Sequence, residues 1–250
     1  MNYVVAMKQI PDLQQLRIKN KKPVVEGTPV TFGAIDKNAL EAAVQLKEAN
    51  GGEVIVVSVG NEELEDSIKE AMAGGGDRAI LVADDDTAEL QSFDNAAIIA
   101  ELIKNIDDAQ LIFFAEGSGD NYSGQVGSIV ASLLGYPQVG FVTEVEVQGD
   151  KAKVTRALES ADEVVEIALP AVLIVAAGLN TPRIPAVTAV LKAGKKPKEV
   201  KTLDELDYRP QAAKIKTIEN LAPDTDRKQQ PIKSVDDIVA ILREDGLLRR

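Results

Sequence analysis

Through the first half of the chain, short runs of aliphatic and β-branched residues alternate with stretches whose apolar positions recur every three or four residues. That alternation predicts βαβ units, and so an α/β fold with a mostly parallel sheet and flanking helices. Strands are expected at residues 3–7, 53–59, 78–82 and 111–115. Residues 36–49 read as an amphipathic helix, with Leu40, Ala43, Val44 and Leu46 on one face and polar residues opposite. A second helix is expected over 61–73, with Asn61 as its N-cap, Glu62 and Glu63 at the positive end of the helix dipole, and Gly74-Gly75-Gly76 as its stop. A third covers about 94–105.

The strand at 111–115 runs into Glu116-Gly117-Ser118-Gly119-Asp120-Asn121-Tyr122-Ser123-Gly124-Gln125-Val126-Gly127, and a helical run follows to about Leu134. A glycine-rich turn between a strand and a helix lets backbone N–H groups approach an anion, and the helix N-terminus adds partial positive charge. The spacing matches neither a G-x-G-x-x-G fingerprint nor a P-loop. From spacing alone, a phosphate cradle and an ordinary strand-to-helix turn are both open. Asp120 reads equally as a turn former, and Gln125 as a solvated helix start.

Period-two patterns at 142–147 and 151–158, joined by Gly149-Asp150, predict an antiparallel hairpin. Apolar runs at 164–168 and 171–175 follow. Pro182 and Pro185 then bracket Arg183-Ile184, so this stretch is expected as an exposed loop, a shape suited to partner recognition. Lys192, Lys195 and Lys196 read as a solvated helix end whose electrostatic partner is a helix dipole. From Pro197 to Pro231 charge is scattered and apolar runs are few, which predicts an extended arm. The arm ends in an amphipathic helix from Ser234, with Asp237 completing a capping box and Val235, Ile238, Val239, Ile241 and Leu242 on one face. The expected division is therefore a nucleotide-binding-type α/β domain over 1–196 and a C-terminal arm and helix over 197–250. The arm docks either on its own domain or on a neighbouring subunit.

Composition narrows the chemistry. With 28 Lys+Arg against 40 Asp+Glu the chain carries a formal charge of −12, which repels nucleic-acid phosphates, and its densest basic stretch has no interleaved aromatics. It contains no cysteine and no histidine. Thiolate nucleophiles, imidazole acid–base chemistry and disulfides are thereby excluded, and zinc is disfavoured. No apolar run approaches the ~20 residues that span a bilayer, and the N-terminal apolar run is too short for a signal peptide, so no membrane insertion and a cytoplasmic location are expected. Aromatic residues make up only 4% of the chain, so the core must be built from Val, Ile, Leu and Ala, which suits a buried parallel sheet. Asp84-Asp85-Asp86, the densest carboxylate run, reads as a solvated loop rather than a metal site.

Four stretches together resemble the beta subunit of electron-transfer flavoproteins. They are Val4-Val5-Ala6-Met7-Lys8-Gln9-Ile10-Pro11-Asp12, Asp36-Lys37-Asn38-Ala39-Leu40-Glu41, Gly119-Asp120 through Gln125-Val126-Gly127, and Leu169-Pro170-Ala171 leading to Leu179-Asn180-Thr181-Pro182-Arg183. Their order and spacing make the combination specific. The resemblance implies a Rossmann-like adenine-nucleotide-binding domain that pairs with a larger, FAD-carrying alpha subunit. It also implies a second nucleotide in this chain, AMP in the simple members of the family and FAD in the electron-bifurcating ones, which split a hydride from NADH between two acceptors.

Carried over residue by residue, the resemblance implies that Ala6, Gly33 and Val59 line the adenosine pocket. Gly117, Ser118, Gly119, Asp120, Asn121, Tyr122, Ser123, Gly124, Gln125 and Val126 would wrap ribose and phosphate. For Ala6 and Val59, core packing is an equally good reading of the residues themselves. Leu179, with Asn180, Pro182 and Arg183, would dock a flavin-dependent dehydrogenase; otherwise Leu179 packs under its own loop. Two departures stand out: Gly33 replaces a common Asn, and Glu116-Gly117-Ser118 replaces a Gly-Arg-Gln or Gly-Lys-Gln run. Ser123-Gly124-Gln125-Val126-Gly127 and Asp36-Lys37-Asn38 look more like the bifurcating members, so FAD is favoured over AMP. No nucleophile–base pair is present, and the chain is expected to serve as an electron-transfer component rather than a catalyst alone. The competing functions are a free-standing adenine-nucleotide sensor and a nucleotide-using transferase or hydrolase.

Overall fold

A computed structural model describes residues 1–210, 215–223 and 229–248. Parts of the expected arm, residues 211–214 and 224–228, lie outside the described residues.

Strand β1 (Asn2–Ala6) is followed by four three-residue strands, β2 (Gln9–Pro11), β3 (Arg17–Lys19), β4 (Lys22–Val24) and β5 (Val30–Phe32), which pair as the ribbons β2–β5 and β3–β4. Helix α1 (Ala34–Asn50), strand β6 (Glu53–Gly60), helix α2 (Leu64–Gly74) and strand β7 (Arg78–Ala83) come next. After a 3-10 turn at Asp85–Glu89 the chain forms α3 (Ser92–Lys104), β8 (Ala109–Ala115) and α4 (Val126–Leu134). The remaining elements are β9 (Gln138–Gln148), β10 (Lys151–Ala157), β11 (Asp162–Ala168), β12 (Ala171–Val175), α5 (Val187–Ala193), β13 (Lys198–Lys201), a 3-10 turn at Leu203–Glu205 and α6 (Val235–Glu244).

Nine strands form one sheet in the order β11-β10-β9-β12-β8-β1-β6-β7-β13. The six from β12 to β13 are mutually parallel, with Val4 opposite Ile55 on one side and Ile112 on the other. At the far edge, β10 runs antiparallel to both β9 and β11, and Gln148 pairs with Lys151 across the expected turn at Gly149-Asp150. Side chains alternate between the faces of the sheet. On β1, Tyr3 and Val5 pack with Leu40, Val44, Ile68 and Met72 of α1 and α2. Val4 and Ala6 pack with Ile98, Leu102, Val130 and Ala131 of α3 and α4 on the other face. Burial on both faces explains why these strands are continuous apolar runs rather than alternating ones.

The expected α2 start needs correction. The helix begins at Leu64, and Asn61 supplies its backbone carbonyl to Leu64 N–H at 3.0 Å rather than a side-chain cap. Its C-terminus is held by a cation as well as by glycine: Lys196 Nζ donates to the carbonyls of Met72 at 2.8 Å and Gly76 at 2.6 Å. Lysine at the negative end of a helix is favourable electrostatically.

Contacts divide the chain into a larger unit, Met1–Arg17 with Val24–Ile218, and a smaller one, Ile18–Pro23 with Glu219–Arg250. The division expected after residue 196 falls between α5 and β13, inside the larger unit. Lys198–Lys201, the first part of the expected arm, pairs in parallel with β7 as the edge strand. Two charges at its start and one at its end hide it from a hydrophobicity pattern. In the smaller unit, α6 has the expected capping box, Ser234 Oγ accepting from Asp237 N–H at 3.2 Å and Asp237 Oδ2 accepting from Ser234 N–H at 3.1 Å. Val235 on that helix is 75% exposed. Among the described residues, no helix is long and apolar enough to cross a membrane.

Candidate functional site

The order of the sheet creates a crevice. From β1 the chain moves outward to β6 and β7, then returns to place β8 on the other side of β1. Loops leaving β1 and β8 therefore diverge, and this switch point at the carboxyl ends of parallel strands is where open α/β sheets bind ligands. A cavity of about 600 Å³ lies there, bounded by the ends of β1, β6 and β8 and by the start of α4. That size is within the range of small-molecule sites.

Of the residues nominated for a nucleotide, Ala6, Val59, Gly117, Ser118, Asp120, Asn121, Ser123, Gly124, Gln125 and Val126 line this one cavity. Gly33, Gly119 and Tyr122 stand outside its wall. The Tyr122 ring lies over Gly117, where any Cβ would come within 2.7 Å of it. Gly119 packs its backbone toward Leu13 and Ile10. Leu179, Asn180, Pro182 and Arg183 also lie apart from the cavity.

Local chemistry shapes the loop from Glu116 to Gln125. Gly124 adopts φ +62°, and a side chain there would stand 3.2 Å from the Glu116 carbonyl, so glycine is favoured by both conformation and space. Tyr122 N–H donates to the Ser118 carbonyl at 2.9 Å and Ser118 Oγ donates to Asn121 at 3.1 Å, closing a tight turn. Gly127 lets α4 approach the sheet, since a Cβ would meet Phe114 at 3.0 Å. Glu116 accepts from Ala177 N–H at 3.1 Å instead of facing the cavity.

Two polar atoms of the lining residues are buried without a hydrogen-bond partner, Asp36 Oδ2 and Asn61 Oδ1. Orphaned buried polar atoms are uncommon and costly, so each calls for a partner such as a ligand or water. Burial pushes the Asp36 carboxyl up to about 7, against the opposing pull of the Lys8 and Gly33 backbone N–H groups and the Lys8 charge. Gly33 accommodates this side chain: a Cβ there would stand 2.9 Å from Asp36 Oδ2, so an Asn at this position would force Asp36 aside. Across the cavity mouth Lys8 Nζ lies 2.5 Å from Asp120 Oδ2. Burial alone would raise the Asp120 carboxyl, but hydrogen bonds from Lys8 and Ser118 hold it below the usual range.

Reading the sequence missed Lys8, Asp36 and Asn61 as cavity residues. Lys8, just after the strand at 3–7, was legible only within a stretch of family resemblance, Asp36 as a helix start and Asn61 as a cap. Asp84 is occupied structurally: its carboxylate accepts from Asp86 N–H at 3.0 Å and Leu203 N–H at 3.1 Å. Among the described residues, no group of three or more acidic side chains is arranged to hold a metal.

Glycines and the N-terminus of α4 form a wall that could hold an anionic group, while Ala6, Val59, Leu90 and Ile99 form apolar walls. The orphaned oxygens of Asp36 and Asn61 complete the lining.

The loop after β12 is built differently. Arg183 forks between two carboxylates of α1, Nε to Glu41 at 2.7 Å and Nη1 to Glu48 at 2.6 Å. Burial would raise the Glu41 carboxyl, but Arg183 and Gln45 draw it below its ordinary value. Asn38 and Asn180 exchange hydrogen bonds, Nδ2 of Asn38 to the Asn180 carbonyl at 2.7 Å and Nδ2 of Asn180 to the Asn38 carbonyl at 3.0 Å. Leu179 is half-buried against the core. Its neighbour Ile184 is 94% exposed, and Val187 and Leu191 of α5 are 76% and 73% exposed.

Comparison with known proteins gives the family. The family description "Electron transfer flavoprotein domain" matches residues 24–207. The chain is 37% identical over 211 residues to an electron transfer flavoprotein subunit beta of Thermoanaerobacterium thermosaccharolyticum, covering 83% of this chain and 80% of that one. A Bacillus subtilis electron transfer flavoprotein subunit beta is 32% identical over 255 aligned positions, covering 98% of this chain and 99% of its own. The Acetobacterium woodii protein named caffeyl-CoA reductase-Etf complex subunit CarD is 32% identical over 215 residues, covering 85% of this chain and 82% of that one.

Proposed function

Since the chain belongs to the electron transfer flavoprotein family as a beta subunit, we propose that its crevice holds an adenine nucleotide, FAD in preference to AMP, and that it works in a heterodimer with a flavin-carrying alpha subunit. The observation that supports this most is the crevice at the β1/β8 switch point, with its glycine turn on one wall and two orphaned polar atoms on the others. FAD, when bound, supplies one- and two-electron redox chemistry that no side chain here can perform. The protein's own tasks are to bind and orient. Gly117 leaves room for the Tyr122 ring and Gly124 lets the turn close, together shaping the phosphate wall; Gln125 and Val126 open α4 toward the phosphate, and Ala6 and Val59 flank the base.

Within this reading the heterodimer passes electrons between NADH or a flavin-dependent dehydrogenase and a second acceptor in the cytoplasm, by electron bifurcation. The likeness to a subunit of a caffeyl-CoA reductase-Etf complex supports an assembly with a reductase partner. Leu179 supports the docking loop from within, and Ile184 with α5 presents its apolar contact surface. A buried aliphatic anchor ringed by polar groups is an effective interface centre. The C-terminal arm with α6 docks on the alpha subunit, where its exposed apolar face finds cover.

The test is co-purification with the alpha subunit and an absorbance spectrum of the complex. Two FAD per alpha–beta pair is expected. One FAD with one AMP replaces the preferred cofactor and removes bifurcation, and a colourless homodimer overturns the reading.

A further inference from the structure

Among the described residues that line the crevice, Lys8 is the only Lys or Arg, facing two carboxylates, Asp36 and Asp120. Lys8 leaves the sheet two residues past the end of β1, so its stem starts at the switch point itself. Ser58 Oγ, fully buried, donates to the Met7 carbonyl at 2.6 Å and fixes the backbone just before it. The ammonium reaches Asp120 Oδ2 on the opposite wall, and the Lys8 side chain stays 44% exposed.

A phosphate against the Gly117–Gln125 turn brings negative charge beside Asp120. Backbone N–H groups and the start of α4 offer about half an elementary charge in compensation. The turn adds no cation, since residues 116–125 include no Lys or Arg and Glu116 bonds Ala177. An ammonium that moves from Asp120 to a phosphate oxygen exchanges one charge-assisted hydrogen bond for another and needs no new ion desolvated. We infer that Lys8 is the phosphate-reading cation of this crevice, held at its mouth by Asp120 until an anionic ligand enters. This rests on the adenine-nucleotide reading above and names the side chain by which the site distinguishes a nucleotide from a nucleoside.

The test titrates the full chain, freed of nucleotide, with AMP and with adenosine, using wild type, Lys8→Met, Lys8→Gln and Lys8→Arg. The ratio of AMP to adenosine affinity is the readout, so that a general loss of fold cannot imitate the effect. Lys8→Met and Lys8→Gln are expected to lower that ratio by about tenfold or more, as loss of a hydrogen bond from a charged group does. Lys8→Arg retains most of it. If Lys8 only holds the loop through Asp120, both ligands weaken together and the ratio stays constant, which overturns the inference. A constant ratio with both affinities unchanged overturns it as well. Wild-type protein that takes up neither ligand overturns both this inference and the nucleotide reading beneath it.

Discussion

The crevice and the loop after β12 both meet helix α1, and their polar groups are treated in opposite ways. At the N-terminal turn of α1, Asp36 is buried with an oxygen that has no partner. Further along the same helix, Glu41 and Glu48 are forked by Arg183, and Asn38 is matched by Asn180. The apolar groups invert this pattern. Aliphatic side chains around the crevice are buried in the sheet, whereas Ile184 of the loop stands almost wholly in water. An unsatisfied polar cavity is completed by a small polar ligand, and a stiff loop with an exposed apolar tip is completed by another protein.

The largest effect expected from breaking this contrast is at Asp36. Its folded-state value, about 7, lies above the ordinary carboxyl value of 3.8. A raised carboxyl favours the folded protein while it is protonated. Its contribution is complete below the unfolded value and is lost as pH rises toward 7, at about 1.4 kcal/mol per pH unit within that window. Asp36→Asn removes the titration. Urea denaturation of nucleotide-free protein should find the variant close to wild type near pH 4 and more stable by roughly 3–4 kcal/mol at pH 8. Parallel pH profiles for the two proteins would show that the orphaned oxygen is paired in solution.

Arg183→Ala addresses the side of the helix that meets the loop. It leaves the buried Glu41 carboxylate without its cation. Breaking a buried pair costs about 3–5 kcal/mol, and the partial exposure of Arg183 reduces the expected loss to about 2 kcal/mol. AMP affinity should not change. A parallel loss of AMP affinity would mean that the crevice and the loop are coupled through α1.

A smaller loss is expected for Gly124→Val, which forces a β-branched residue into a left-handed conformation at a cost of about 1–2 kcal/mol. Here the nucleotide should be lost while the loop after β12 keeps its function. Ile184→Ser should change stability by less than about 0.5 kcal/mol, because the side chain touches little of its own chain. Stopped-flow electron transfer with a dehydrogenase partner is the measurement that should show its effect. Unchanged rates would move the docking surface away from the loop.

The parallel half of the sheet was legible because strands buried on both faces read as continuous apolar runs between amphipathic helices. β1, β6, β7 and β8 therefore lie within a residue or two of their expected bounds. β13 was not legible, since Lys-Glu-Val-Lys gains its place only from pairing with β7. The ribbon β2–β5 was missed for the same reason: three residues per strand carry no period. Asn61 shows a different limit. The residue type satisfies the rule for a helix cap, yet the helix starts three residues later and the side chain borders the crevice. Lys8 becomes meaningful only when the fold brings Asp120, 112 positions away, opposite it.

An adenine nucleotide held at the β1/β8 switch point would belong to this chain rather than to the alpha subunit. The direct measurement is the nucleotide released by acid from the purified alpha–beta complex, compared between wild type and Gly124→Val. Wild type should release one adenine nucleotide beyond the FAD of the alpha subunit, and the variant should lack that one alone. Identical release from both complexes, or no nucleotide beyond the alpha subunit's FAD, would contradict the account.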